Sequence, residues 1–251
     1  MPQFYLAGDW AQSNLPKLLL LIDEDLAHHL RVRRIGADDV FTVFDGKGHT
    51  AVGRFSKIND RHPQIEIEQI QEDRDRELPY RIELIQGLAS GDKMDWIIEK
   101  AVETGATSIT PIECDRSVVK LKNDPKRLEK RLLHWQAIAQ AACEQCDRSV
   151  IPEVTPIQHP QDAFKQSTAG LKILLSTTST DSLHQFLNRH PPQSITLAIG
   201  PEGGFCPEEE EYAKQAAGFT ALSLGPRIVR TETAGIVAIS AVESIWSLKT
   251  N

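Results

Sequence analysis

The sequence has no apolar run that approaches the roughly 20 residues a helix needs to span a bilayer. Its longest early apolar run, residues 18–22, is short for the core of a signal peptide and is followed by Asp23, Glu24 and Asp25. We therefore expect a cytoplasmic protein without a membrane partner.

Cysteine is also scarce, with four among 251 residues. Cys143 and Cys146 form a CxxC pair, a pattern that elsewhere binds zinc or carries out redox chemistry. A structural zinc site takes about four ligands, and Cys114 and Cys206 stand alone, so we expect no metal. The pair falls within a helical pattern, which favours two reduced, mostly buried side chains, but its role stays open.

Positive charge is in the minority, because 28 lysines and arginines face 35 acidic residues, for a formal net charge of −7. This balance does not indicate a nucleic-acid-binding protein, yet a phosphate responds to the local field. One basic stretch is residues 28–34, HHLRVRR; the other, residues 115–131, holds Arg116, Lys120, Lys122, Lys126, Arg127, Lys130 and Arg131. Solvated helix faces and a phosphate-binding surface both fit this pattern.

The first part of the chain is typical of β structure. Residues 40–44 and 49–55 are strand-like and flank Asp-Gly-Lys-Gly at 45–48, which is a hairpin signal. Residues 64–70 alternate apolar and polar side chains, which is typical of a strand with one solvent-exposed face. Short strands with glycine turns and little helix predict a small β-barrel at residues 1–72.

The pattern changes after a charged segment, residues 73–80, which is the predicted linker to a second domain at 81–251. Predicted strands occupy residues 81–88, 108–112, 171–176, 194–199 and 220–224. Predicted helices occupy residues 93–104, 125–146, 181–189, 207–217 and 232–248. Asp92 fits the N-cap of the first helix, and Gly105 fits its stop. The alternation predicts an α/β domain with a parallel sheet covered on both faces.

Two loops follow strands of this sheet, at the end where open α/β sheets bind ligands. They span residues 199–205 and 224–234, and neither carries a GxxxxGK[ST] or GxGxxG phosphate motif. The helix after the first loop opens with acidic residues at 208–211, which repel anions. Glycines let the backbone approach a flat, uncharged or cationic ligand closely. S-adenosylmethionine fits this description, and tight turns without a ligand are the alternative.

The second loop places Arg227 and Arg230 beside Thr231, Glu232 and Thr233. Either threonine fits the N-cap of the last helix. The two arginines fit one of two functional roles, holding an RNA phosphate or polarising a base carbonyl. A structural Arg–Glu pair is the alternative.

The motifs Ile-Gly-Pro-Glu-Gly-Gly at 199–204 and Leu-Gly-Pro-Arg-Ile-Val-Arg-Thr-Glu-Thr-Ala at 224–234 closely resemble the RsmE family. RsmE proteins are SPOUT-superfamily methyltransferases that modify N3 of a uridine in 16S ribosomal RNA. Residues 93–101, KMDWIIEKA, also match, and the resemblance spans nearly the whole chain. Arg33 departs from it, since the family pattern has a leucine at that place.

The resemblance implies a PUA-like β-barrel that helps to hold RNA, followed by a SPOUT domain with a deep trefoil knot, an exception to the rule against threaded chains. The two loops would form the knot and bind S-adenosylmethionine, with no metal. The resemblance further implies a homodimer, with the site near the subunit interface, that acts on 16S rRNA within the small ribosomal subunit.

The residue assignments follow from these motifs. The predicted cofactor-binding residues are Ile199, Gly200, Pro201, Glu202, Gly203, Gly204, Leu224, Gly225, Pro226, Arg227, Ile228, Thr231 and Thr233. The predicted RNA-binding residues are His28, Arg31, Arg33, Arg34, Arg116 and Lys120.

The predicted catalytic residues are Arg230 and Glu232. N3 of uracil is a weak nucleophile until it loses its proton, so the reaction needs a base; the choice among Glu232, Glu202 and water stays open. Arg230 is the predicted stabiliser of negative charge on the ring oxygens.

Two other functions stay open at this point. One is a non-catalytic RNA-binding protein whose α/β half is structural, and the other is a nucleotide-using enzyme with an atypical glycine loop. Binding of S-adenosylmethionine but not ATP would separate the methyltransferase from both.

Overall fold

The computed structural model describes residues 1–13, 15–36, 39–57, 63–120 and 124–250. Lys122, part of the second basic stretch, lies outside these residues. The chain divides into two units, which are Met1–Glu77 with Cys143–Ile151 and Leu78–Ala142 with Pro152–Asn251. The predicted boundaries at residues 1–72, 73–80 and 81–251 stay a prediction.

A five-stranded sheet forms the first unit. Its elements are β1 (Gln3–Tyr5), a 3-10 helix (Trp10–Gln12), β2 (Lys17–Leu21), α1 (Glu24–Val32), β3 (Val40–Phe44), β4 (His49–Lys57) and β5 (Gln64–Glu72). The strand order is β1-β3-β4-β5-β2; β1 and β3 are parallel and the other neighbours antiparallel. Alternation in β5 buries Ile65 and Ile67 in the same apolar core as Phe41.

The predicted hairpin is confirmed, since β3 and β4 pair across the turn at 45–48. The Asp45 carboxylate accepts hydrogen bonds from the amides of Lys47 and His49, at 2.7 and 3.0 Å. Burial alone would raise the pKa of Asp45, but these donors hold it below its ordinary value. The turn is therefore fixed by an ionised side chain as well as by its glycines.

Helix α1 was missed by the sequence analysis, which expected little helix in this unit. The helix begins after Asp23, whose carboxylate accepts the amide of Leu26 at 2.8 Å. It buries Ala27 and Leu30. Two buried positions in nine residues are too few to show a helical period.

Segment Cys143–Ile151 joins the first unit through a buried ion pair. Arg148 donates to the Glu77 carboxylate at 3.2 and 2.6 Å, and the Gln3 amide donates to the Arg148 carbonyl at 2.8 Å. Glu77 lies in the charged stretch that predicted a linker. This part of the stretch is therefore ordered by a charge-assisted contact within the unit.

The second unit alternates strands and helices. Its elements are β6 (Ile82–Gly87), α2 (Lys93–Glu103), β7 (Ser108–Ile112), α3 (Pro125–Cys146), β8 (Glu153–Val154), α4 (Pro160–Gln166), β9 (Leu171–Leu175), α5 (Leu183–Arg189), β10 (Ile195–Ile199), α6 (Pro207–Gln215), β11 (Thr220–Leu222) and α7 (Thr231–Thr250). The strands are parallel, in the order β11-β9-β10-β6-β7-β8. Strands β7 and β8 lie on one side of β6, whereas β9, β10 and β11 lie on its other side. Open α/β sheets bind ligands where the strand order changes direction in this way.

Helices cover both faces of this sheet, as predicted. Ile85 and Ala198 share an apolar core with Phe164 of α4. Leu84, which precedes Ile85 in β6, and Ile199, which follows Ala198 in β10, instead approach Gly235 of α7. Successive strand side chains point to opposite faces, so α4 and α7 lie on opposite sides.

The strands and helices predicted for this half are confirmed, and their ends differ by at most two residues from the observed ones. The capping role predicted for Asp92 is wrong. Asp92 occupies the N-cap position of α2, but its side chain makes no capping hydrogen bond. Gly105, with φ of +101°, follows the helix end as predicted. Elements β8 and α4 were missed because two and seven residues are too short to show a period.

Among the described residues, none of the helices combines the length and apolarity needed to cross a bilayer.

Candidate active site

A cavity of about 680 Å³ opens where β9, β10 and β11 end. It lies wholly within the second unit. Its walls are the end of β9 and the residues that follow it (Leu175, Ser176, Thr177 and Thr178), residues 199–205, residues 222–232, and Lys93, Arg116, Glu210 and Ala234. The two loops predicted to form the site are thus brought together, as parallel strands require.

Backbone crowding shapes the loop after β10. A Cβ on Gly200 would lie 2.9 Å from the Phe205 nitrogen and 3.0 Å from Gly204. Gly204 itself has a φ of +69° and donates its amide to the Pro201 carbonyl at 2.9 Å. The loop therefore folds back on itself in a way that side chains would prevent.

Gly87, at the end of β6, supports the site loop, and the sequence analysis missed it. A Cβ there would lie 2.4 Å from the Pro201 nitrogen, closer than any real Cβ contact. The end of β6 thus supports the loop after β10 by direct backbone contact. A glycine closing an otherwise ordinary strand carried no signal, because glycine also ends strands for purely local reasons.

Thr231 is buried and joins three segments. Its hydroxyl donates to the Gly200 carbonyl at 2.6 Å and accepts from the Gln86 side-chain amide at 2.9 Å. Residue 231 is the first residue of α7. The hydroxyl therefore bridges β6 and the loop after β10. Thr233, predicted to bind the cofactor, does not line the cavity; its amide donates to the Arg230 carbonyl at 2.9 Å.

Glu202 is held by donors at the start of α2. One carboxylate oxygen accepts the Ser90 amide at 2.9 Å, the Ser90 hydroxyl at 2.7 Å and the Lys93 ammonium at 3.0 Å. Burial alone would raise its pKa, but these hydrogen bonds lower the pKa to about 2. Glu202 is therefore ionised at neutral pH and is a weak base.

Glu232 has a different environment. Its side chain is 15% exposed, and its Oε2 is buried without a hydrogen-bond partner among the described residues. The Lys93 ammonium lies 3.7 Å from Oε2, and the Arg230 guanidinium lies 4.0 Å from Oε1. Arg230 is 82% exposed, so its pairing with Glu232 is loose and leaves its donors accessible.

The predicted RNA-binding residues fall into two groups. His28, Arg31, Arg33 and Arg34 are exposed at the end of α1 and just beyond it, in the first unit. Within this group, Arg31 pairs with Glu24 at 3.3 Å. The other two residues donate to backbone carbonyls: Arg116 to Phe205 and Gly203 at 3.1 and 3.4 Å, and Lys120 to Cys114 and Asp115 at 2.7 and 3.0 Å.

Lys93 and the polar residues after β9 were not predicted to belong to the site. Residues 176–180, STTST, follow a buried strand directly, and β9 neighbours β10 in the sheet. A polar run at the end of a buried strand was the signal that could have found them. Lys93 gave no such signal, because its position depends on how α2 packs.

The four cysteines carry free thiols, and Cys114, Cys143 and Cys206 are buried. Burial raises the pKa of Cys143 to about 12, which makes its thiol unreactive at neutral pH. In the described part of the chain, no group of three or more His, Cys, Asp or Glu side chains could hold a metal ion.

Comparison with known proteins identifies the family. An RNA methyltransferase domain matches residues 76–243, and an RNA methyltransferase PUA domain matches residues 22–68. The chain is 33% identical over 233 residues to ribosomal RNA small subunit methyltransferase E of Bacillus subtilis, covering 87% of each chain. The chain belongs to the ribosomal RNA small subunit methyltransferase E family. A family member from Buchnera aphidicola is 30% identical, and the match covers 98% of this chain and 94% of the relative.

Two solved structures are similar over nearly the whole chain. The Neisseria gonorrhoeae RsmE, bound to S-adenosylmethionine, has a TM-score of 0.87 and 36% identity over 98% of both chains. A Legionella pneumophila protein described as a putative methyltransferase in complex with S-adenosylmethionine has a TM-score of 0.87 and 30% identity over 97% of both.

Membership in the RsmE family confirms the predicted fold class, an α/β SPOUT domain preceded by a PUA-like domain, and the predicted class of enzyme. It does not support the non-catalytic alternative. The roles assigned to single residues, the knot and the homodimer stay predictions.

We expect Glu202→Gln to destabilise the fold at neutral pH, because it removes the charge that Ser90 and Lys93 stabilise. The folded pKa of about 2 lies below the ordinary value of 4.5, so the contribution is complete above pH 4.5 and is lost as pH falls towards 2. The gap in unfolding free energy between the wild type and the variant, measured with urea, should be constant from about pH 7 to 5 and shrink near pH 3.5. The control Glu129→Gln, at an exposed site on α3, should show little gap. A gap that widens in acid would contradict this.

Proposed function

We propose that the protein transfers a methyl group from S-adenosylmethionine to N3 of a uridine in 16S ribosomal RNA, within the small ribosomal subunit in the cytoplasm. The cavity at the ends of β9, β10 and β11 carries this proposal, because it is built from both motif loops. Relatives named ribosomal RNA small subunit methyltransferase E, one of them solved with S-adenosylmethionine, support it.

The residues of the cavity fit S-adenosylmethionine. The cavity volume of about 680 Å³ lies within the roughly 300–1,000 Å³ typical of small-molecule sites. Carboxylates of Glu202, Glu210 and Glu232 line it and suit a cationic sulfonium. Acidic residues in the first turn of α6 oppose a phosphate there. The crowded backbone of Gly200 and Gly204 leaves main-chain groups to face an adenine.

Among the candidates for the base, we favour Glu232. Glu202 is excluded because three hydrogen bonds hold its charge and its pKa is about 2. Glu232 has a buried oxygen without a hydrogen-bond partner among the described residues, so it can accept a proton from a substrate. The Lys93 ammonium lies 3.7 Å from this oxygen.

Arg230 completes the proposed machinery. Loss of the N3 proton leaves negative charge on the uracil oxygens, and the exposed guanidinium of Arg230 donates hydrogen bonds to one of them. When bound there, S-adenosylmethionine would supply an electrophilic methyl group to the deprotonated N3, with the neutral thioether as the leaving group. The protein contributes the proton acceptor, the charge stabilisation and the alignment of the two reactants.

We further propose the homodimer and the trefoil knot that the family resemblance implies. Val237 and Leu248 on α7 are 40% and 84% exposed, and exposed apolar surface often marks an interface. The two loops that would form the knot contact each other through the Thr231 hydroxyl and the Gly200 carbonyl. Sedimentation velocity of the purified protein distinguishes the dimer from a monomer.

The function is tested with small ribosomal subunits from cells that lack the gene. The purified protein and labelled S-adenosylmethionine should modify one uridine at N3, located by mass spectrometry of the RNA. Calorimetry should show binding of S-adenosylmethionine and none of ATP. Modification of another atom, or binding of ATP alone, would contradict the proposal.

The catalytic roles are tested by single-turnover methylation at saturating RNA. Glu232→Gln should slow the reaction by about 10²–10⁴-fold, because it removes the base. Arg230→Ala should slow it by about 10²–10³-fold, equivalent to about 2.7–4 kcal/mol of lost stabilisation. The control Glu129→Gln, at an exposed site on α3 that lines none of the cavities, should retain the rate. A Glu232→Gln enzyme as fast as this control would exclude Glu232 as the base.

The exposed group at α1 is proposed to contact RNA phosphates. Replacing Arg31, Arg33 and Arg34 with glutamine should weaken binding of small subunits and reduce the dependence of the affinity on salt. Each lost phosphate contact lowers the logarithmic salt slope by about 0.7–0.9. Cofactor affinity serves as the control and should not change. An unaltered salt slope would rule out this contact.

A further inference from the structure

A second cavity, of about 520 Å³, lies between the start of α2 and the first half of α3. We call it the basic pocket. Its lining consists of Gly91, Asp92, Asp95, Arg127, Lys130, Arg131 and His134. The four basic residues are spaced i, i+3, i+4 and i+7, which places them on one face of α3.

The lining holds two acidic residues, Asp92 and Asp95, and both oxygens of Asp95 have partners within the pocket wall. One of its oxygens lies 2.7 Å from His134 Nε2, and the other accepts the Trp135 indole N–H at 3.1 Å. The Arg131 guanidinium lies over the Trp135 ring at 5.8 Å from its centroid, which orders that cation. Asp95 therefore orders the wall through His134 and Trp135.

Arg127 and Lys130 are exposed, and within the described ranges their side chains make no ion pair or hydrogen bond. By contrast, Arg116 and Lys120, from the same basic stretch, donate to backbone carbonyls. The basic pocket therefore holds two cations of this stretch that remain available to an anion, and Lys126 is exposed outside the pocket.

The pocket is adjacent to the proposed reaction site. A small cleft of about 310 Å³ is lined by Asp92, Lys93, Trp96 and Glu232. It shares Asp92 with the basic pocket and shares Lys93 and Glu232 with the cofactor cavity. A continuous surface thus runs from Arg127 and Lys130, past the cleft, to the proposed base.

We propose that the basic pocket binds a backbone phosphate of the substrate RNA close to the target nucleotide. Arg127 and Lys130, with Arg131 held in place over Trp135, provide charge complementarity to a phosphate. A phosphate contact positions the RNA without reading its sequence. The proposal rests on the proposed function, because it takes RNA as the substrate. It assigns the phosphate contact of this unit to Arg127, Lys130 and Arg131.

The test compares two double variants that each remove one arginine and one lysine charge. Arg127→Gln with Lys130→Gln alters the basic pocket. Arg189→Gln with Lys165→Gln alters exposed positions on α5 and α4 that line none of the three cavities. Arg131 is left intact, because its contact with Trp135 makes it part of the packing of α3.

The affinity for small ribosomal subunits is measured between about 50 and 200 mM salt, and methylation is measured over a range of subunit concentrations. The pocket variant should lose about 1–2 units of logarithmic salt slope, and its KM for subunits should rise on the order of tenfold. Its kcat at saturation and its affinity for S-adenosylmethionine should match those of the wild type. The control variant should keep the wild-type slope and KM.

Equal slopes and equal KM values for the two double variants would overturn the proposal, since net charge alone would then explain any loss. A lower kcat with an unchanged KM would also overturn it, because the pocket would then act on chemistry and not on RNA position. Failure of the wild type to methylate would instead refute the proposed function, and the binding comparison would still decide whether the pocket holds RNA.

Discussion

The site depends on one buried hydroxyl. Thr231 donates to the Gly200 carbonyl and accepts from Gln86, so it joins α7, the loop after β10 and the end of β6. A buried polar group left unpaired costs about 1–3 kcal/mol, which holds these segments in a single arrangement. Gly87 permits that arrangement, because a side chain there would overlap Pro201.

The two carboxylates near Lys93, Glu202 and Glu232, have different hydrogen-bonding environments. Glu202 and Glu232 both face Lys93, at 3.0 and 3.7 Å, but only Glu202 also accepts hydrogen bonds from Ser90. The additional donors hold Glu202 as a fixed anion that ties its loop to α2. Glu232 instead has an oxygen without a hydrogen-bond partner in the described part of the chain, as its proposed role of base requires. Two chemically identical residues thus differ through their neighbours.

Much of the fold was readable from local pattern. The Asp45 turn and the 22-residue helix beginning at Pro125 were predicted with their observed bounds, because turn chemistry and a long period are properties of the chain itself. Helix α1 was missed because it buries so few residues. The capping role given to Asp92 was wrong, although the helix it precedes is real, since a residue type does not say where its carboxylate will point.

The sequence by itself determined the family, the alternation of strands and helices, and the two loops that meet at the cavity, because glycine-rich turns after buried strands must share one edge of a parallel sheet. Only the tertiary structure decided which side chains are engaged. Arg116 and Lys120 donate to carbonyls, while Arg127 and Lys130 do not, although all four belong to one basic stretch. The physical reason is that a charge acts through its neighbours in space, and packing of distant segments sets those neighbours.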